Sequence, residues 1–130
     1  MATMRQSVFV ERSADAVWAL VGDPASVTEW FPQMVGVQVE GNQRSITLAS
    51  GMTLLEEVVT RRDDLRRFQY RLTGPLPVES HLGTIDVIPD GEARCVVVYS
   101  TDVVPHALAY VLDGAVTDAL ANLKALMEAG

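Results

Sequence analysis

Cysteine is almost missing from this chain. Cys95 stands alone, so no internal disulfide can form and a cross-linked secreted scaffold is excluded. Histidine is scarce as well. His81 and His106 are the only two, and with one cysteine they form no metal-ligand spacing. Positive charge is in short supply, with 10 basic residues against 17 acidic ones and a net charge of -7. A nucleic-acid binder would carry a basic stripe. The basic clusters here, Arg61-Arg62 and Arg66-Arg67, flank Asp63-Asp64 and read as the solvated end of a hairpin. No apolar run approaches the ~18 residues of a membrane span, and the opening MATMRQSVFVERS lacks the pattern of a signal peptide. No Gly-rich phosphate loop follows a strand, and no Ser-His-Asp arrangement is evident. These absences predict a cytoplasmic protein with no metal or nucleotide cofactor, no nucleic-acid partner and no membrane span.

What is present suits a packed core. Of 130 residues 48% are apolar and 21% charged, which predicts one domain over 1–130 that buries roughly two-thirds of its unfolded surface. RQSVFVE (5–11) alternates as a strand should. Ser13 reads as the N-cap of the helix ADAVWALV, in which Ala14, Val17, Trp18 and Val21 recur at helical spacing. Gly22 ends it. Asp23-Pro24 starts a short second helix, which Pro32 closes. Six strands are then expected: MVGVQVE, RSITLAS, MTLLEEVVTRR, RRFQYRLT, ESHLGTIDVI and ARCVVVYSTDVV. Gly41-Asn42 and Ser50-Gly51 are hairpin breaks, and Gly74-Pro75-Leu76-Pro77 and Pro89-Asp90-Gly91 join the last three strands. From His106 to Glu128 the pattern is helical, with Leu108, Val111, Leu112, Ala115, Ala119, Leu123 and Leu126 on one stripe. His106, Tyr110, Asp113 and Thr117 fall opposite. Gly114 weakens this helix by about 1 kcal/mol relative to Ala and allows a bend. Strands segregated from helices indicate an α+β protein.

Side chains alternate across a strand, so parity sorts them. Phe68, Tyr70 and Leu72 should face the core. So should His81, Gly83, Ile85 and Val87, because Asp86 belongs in water, and Cys95, Val97, Tyr99, Thr101 and Val103. The segment LLEEVV leaves open whether Glu56 or Glu57 points inward. An inward glutamate needs a partner or a wet cavity.

The order of these elements resembles the START/Bet v 1-like (SRPBCC) superfamily, and within it the small bacterial polyketide cyclase/dehydrase-like proteins. The carriers are ERSADAVWALVGDPASVTEWFP, LLEEVVTRRDDLRRFQYRLTGPLPVESHLGTIDVIPDG and the strand that ends at Pro105. The resemblance implies a helix-grip fold. A seven-stranded curved antiparallel sheet would wrap around the long C-terminal helix, with two short helices after the first strand. It implies a pocket between sheet and helix for a small hydrophobic or amphipathic molecule, lipid-like or polyketide-like. Trp30 and Phe31 would sit near the entrance. Glu56 would be the inward glutamate, and Tyr70, His81 and Tyr99 would project into the hollow. Phe68, Thr101 and Leu112 complete the expected contacts. The short connection after Pro105 argues against a large polycyclic substrate.

Two further readings stand beside ligand binding. One is a cyclase or dehydratase in which Glu56 and His81 move protons while Tyr70 and Tyr99 hold a carbonyl or enolate oxygen. The other is a protein-interaction module with no working pocket. The bland alternatives are a Glu56 paired with an arginine at the sheet's rim, a His81 bonded to a backbone carbonyl, and tyrosines that are core aromatics. Cys95 reads as a small core residue. An exposed edge strand could pair two copies into a homodimer.

Overall fold

The computed structural model describes residues 1–129. Strand β1 (Ala2–Val10) opens the chain. It begins three residues earlier than its alternation suggests, because Ala2 already pairs with Val103 of the last strand. Helix α1 (Ala14–Val21) occupies the expected residues, and the Ser13 hydroxyl accepts the Ala16 N–H as its cap. Asp23 then caps a single 3-10 turn (Pro24–Ser26) by accepting the Ala25 N–H, and α2 (Val27–Trp30) follows.

Six strands come next: β2 (Met34–Glu40), β3 (Gln43–Leu48), β4 (Thr53–Arg62), β5 (Arg67–Gly74), β6 (Ser80–Pro89) and β7 (Cys95–Val104). A 3-10 turn (His106–Leu108) leads into α3 (Ala109–Ala129), which continues unbroken through Gly114. All seven strands form one antiparallel sheet in the order β1-β7-β6-β5-β4-β3-β2. The chain therefore crosses from one edge of the sheet to the other through α1 and α2 and returns strand by strand to lie beside β1. The sheet curls, and α3 packs against β1, β7 and α2. This is the expected helix-grip architecture.

The inner faces follow parity. Cys95, Val97, Tyr99, Thr101 and Val103 are buried on β7, as are His81, Ile85 and Val87 on β6 and Phe68, Tyr70 and Leu72 on β5. The buried side of α3 differs from the expected stripe. Ala109, Val116, Ala119, Leu120, Leu123 and Met127 are buried, whereas Val111 and Leu126 are exposed. So many residues of this helix are apolar that periodicity alone left its rotation open. Contact with β1, β7 and α2 selects the covered face. Asp113, expected in solvent, accepts a hydrogen bond from Gln6 of β1 instead.

The four clustered arginines each face a carboxylate. Arg62 pairs with Asp64, Arg66 with Asp15, Arg67 with Asp86, and Arg61 lies 3.9 Å from Asp63 while donating to the Gly22 carbonyl. The Trp18 indole N–H donates to Asp63 at 2.9 Å. The β4–β5 hairpin end is thus a clasp on α1.

Candidate functional site

A cavity of about 280 Å³ lies between the inner face of the sheet and the first half of α3. Its wall is apolar: Phe31, Met34, Leu48, Leu54, Leu72, Leu112, Ala115 and Val116. Four segments meet at its mouth and supply Gln33, Met52, Leu76 and Val111. Val111 and Met52 are 72% and 45% exposed, which marks this rim as the open side. Ligand cavities commonly run from ~300 to 1,000 Å³, so this one is at the small end.

Polar groups collect deep inside, around the ring of Tyr70. Glu56 is 1% exposed and points inward, while Glu57 points outward to Arg71. Register explains Glu56's partner. Arg44 of β3 sits directly opposite it across the β3–β4 ladder and is itself buried. The Arg44 guanidinium donates to Glu56 Oε1 from Nε at 3.0 Å and from Nη2 at 2.6 Å, and Nη1 donates to the Pro24 carbonyl at 3.1 Å. Arg44 also lies 5.2 Å from the Phe68 ring centroid and 5.4 Å from that of Tyr70. Burial pushes the Glu56 carboxyl above its ordinary value, and the charge and hydrogen bonds of Arg44 pull the other way.

His81 owes its role to a gap in the sheet. The β5–β6 ladder ends at Tyr70 opposite Gly83, so the Leu72 N–H has no ladder partner on β6. His81 Nδ1 accepts that N–H at 3.0 Å. An N–H donor there requires a lone pair on Nδ1, which leaves the imidazole proton on Nε2. Burial lowers the His81 pKa from 6.5 to about 4, against the opposing carboxylate of Asp102. His81 is therefore neutral at pH 7.

Tyr70 and Tyr99 share a hydrogen bond between their hydroxyls, and burial raises both phenols. The Tyr70 ring lies against Gly83, where an added Cβ would come within 2.5 Å of it. Glycine is what admits the ring. The His81 ring packs against Tyr70 at a tilt of 46° with centroids 5.5 Å apart, and Tyr99 meets Tyr70 edge-on at 6.4 Å.

Glu56, His81, Phe31, Tyr70, Tyr99, Thr101 and Leu112 all line this one cavity. Trp30 and Phe68, also expected at the ligand, lie behind the wall. Trp30 is 2% exposed and packs against Phe31 and Tyr99, with its backbone carbonyl taken by Asn122. It is a core residue, packed behind Phe31 and Tyr99 and absent from the cavity lining. Phe68 is sealed beneath Arg44 and Tyr70. Cys95 is a buried core residue whose thiol burial pushes up, as expected of an inert cysteine. His106 is exposed at the start of the last helical segment.

Arg44 is the residue that sequence reasoning missed. The signal was there, since QRSITL alternates and places Arg44 on the same face as Ile46 and Leu48. Glu56 has its arginine, but inside the sheet rather than at its rim. Among the described residues no group of His, Cys, Asp and Glu could hold a metal ion, and no helix is long and apolar enough to cross a membrane.

Comparison with known proteins agrees with this geometry. A family model described as polyketide cyclase/dehydrase and lipid transport matches residues 1–128. The chain is similar to protein XoxI from Bacillus cereus, at 25% identity and a TM-score of 0.92 over 98% of this chain and 96% of that one. It is also similar to the di-domain ARO/CYC BexL of the BE-7585A biosynthetic pathway, at 24% identity and a TM-score of 0.82. That match covers 95% of this chain and 45% of BexL. A START superfamily protein from Mycobacterium smegmatis shares the fold at 18% identity and a TM-score of 0.80, over 97% of each chain. No curated protein matches the chain.

Proposed function

The chain belongs to the polyketide cyclase/dehydrase and lipid transport family, within the START/Bet v 1-like superfamily, and from that premise we propose that it binds a small hydrophobic or amphipathic molecule in its internal cavity. The observation that carries this reading is the cavity itself: an unfilled 280 Å³ with a largely apolar wall and a cluster of polar groups at its depth. Pockets of that composition take up apolar bodies and orient them by a few hydrogen bonds. The reading makes residues 1–130 one ligand-binding domain, with Phe31, Leu112, Tyr70, Tyr99 and Thr101 touching the ligand.

An acid/base pair of Glu56 and His81 has less support. One Glu56 oxygen is held twice by Arg44. His81, with a pKa of about 4, is a weak base at neutral pH, and its Nδ1 lone pair is already used. General acid/base catalysis favours groups that titrate near the working pH. A pocketless interaction module has less support still, because the interior is not filled.

Native mass spectrometry of the gently purified protein tests the proposal. The expected spectrum carries an additional small-molecule mass that Ala115→Phe, which fills the cavity from α3, abolishes. A bare chain that also binds no member of a library of neutral apolar compounds would overturn it.

A further inference from the structure

The ionic groups of the cavity floor cancel, and this limits what the cavity can hold. Arg44 is the cation beside the floor; it donates to Glu56 and the Pro24 carbonyl from Nε, Nη1 and Nη2 and is not among the residues that line the cavity. Both contacts to Glu56 fall on Oε1, so Oε2 receives no hydrogen bond from another described residue although Glu56 lines the cavity. His81 lines the same cavity with Nδ1 occupied, which leaves its Nε2–H as a donor. Tyr70 and Tyr99 share one hydrogen bond, which uses one of their two O–H groups and leaves the other as a donor. The floor thus offers the Glu56 Oε2 acceptor, the His81 Nε2–H and one tyrosine O–H as donors, and the Thr101 hydroxyl, with no uncompensated positive charge.

We infer that the pocket selects an uncharged amphiphile, an apolar body ending in a neutral hydroxyl that donates to Glu56 and accepts from His81, and rejects the carboxylate of the same skeleton. A carboxylate head would meet the Glu56 carboxylate and find no free cation. Burying a charge without a partner is strongly unfavourable. Its remaining route is to enter as the neutral acid. For an acid with a pKa of ~4, only about one molecule in 1,000 is in that form at pH 7.

This inference rests on the cavity being a ligand site, and calorimetry on the full chain separates the two. Naphthol and naphthoate share a ring system and differ in the head group. Naphthol is expected to bind one per chain. Naphthoate should bind at least ~100-fold more weakly at pH 7, gaining about tenfold for each unit the pH is lowered toward 5.5. Glu56→Gln strips Arg44 of its counter-charge, so naphthoate should gain at least tenfold on naphthol in that variant. Naphthoate binding as tightly as naphthol at pH 7 leaves the ligand site standing and overturns the selection. Failure of both probes to bind sinks the ligand site and the selection with it. The wild-type pair at two pH values decides the matter if Glu56→Gln does not fold.

Discussion

Arg44→Met should convert the buried ion pair from a neutral unit into an exposed weakness, with a pH signature that Glu56→Leu lacks. In Arg44→Met the Glu56 carboxylate stays buried with its partner gone. Breaking such a pair from one side costs ~3–5 kcal/mol. The carboxyl has an escape, which is to take up a proton. Holding an acid of ordinary value 4.5 in its protonated form at pH 7 costs about 3.4 kcal/mol, at 1.36 kcal/mol per unit. At pH 5.5 the same escape costs about 1.4 kcal/mol. The folded variant then carries a proton that the unfolded chain has lost, so its stability falls as pH rises. The lost bond to Pro24 adds about 1 kcal/mol at either pH. Glu56→Leu leaves Arg44 buried and unpaired instead, and arginine cannot shed its charge. Its deficit of ~3–5 kcal/mol should therefore hardly change with pH. The double variant removes both charges and should recover most of the loss. Urea unfolding of all four proteins at pH 7 and 5.5 measures each quantity, and the Arg44→Met midpoint temperature should drop by roughly 10 °C or more. A deficit below about 1 kcal/mol for Arg44→Met at pH 7, or a double variant as unstable as the two singles combined, would refute the pairing.

Three other perturbations test separate parts of the site. His81 is neutral in the fold down to about pH 4, while an unfolded histidine takes up its proton near 6.5. Stability should therefore be lost as pH falls from 6.5 to 4, by up to about 3 kcal/mol from this residue. His81→Gln should flatten the stability-pH curve over that window, and an unchanged slope would remove His81 from the account. Gly83→Ala would place a Cβ 2.5 Å from the Tyr70 ring, so the ring must move. The expected loss is ~1–3 kcal/mol in urea unfolding with a changed near-UV spectrum, and a neutral effect contradicts the close approach. Trp18→Phe removes the indole donor to Asp63. It should lose about 1–2 kcal/mol, an effect that Asp63→Ala should largely abolish in the double variant.

Local chemistry determined the elements. Ser13 and the spacing of Ala14, Val17, Trp18 and Val21 locate α1 to the residue. Asp23-Pro24, Gly41-Asn42 and Ser50-Gly51 mark breaks that depend on nearest neighbours alone. Strand parity sent Tyr70, His81 and Tyr99 inward because the side-chain period of two is a property of the backbone itself. The duplicated LLEEVV, by contrast, satisfies either parity, so nothing local could choose between Glu56 and Glu57. The choice came from the β3–β4 register, which sets Arg44 opposite Glu56 and lets the two charges be buried together. The rotation of α3 was equally out of local reach, since an apolar residue lies on nearly every side of that helix and only contact with β1, β7 and α2 selects which are covered. The state of His81 depends on a ladder that stops two residues short of Leu72. A chain's own periodicity can say which way a side chain points, but its charge, partner and proton depend on groups brought beside it from distant segments.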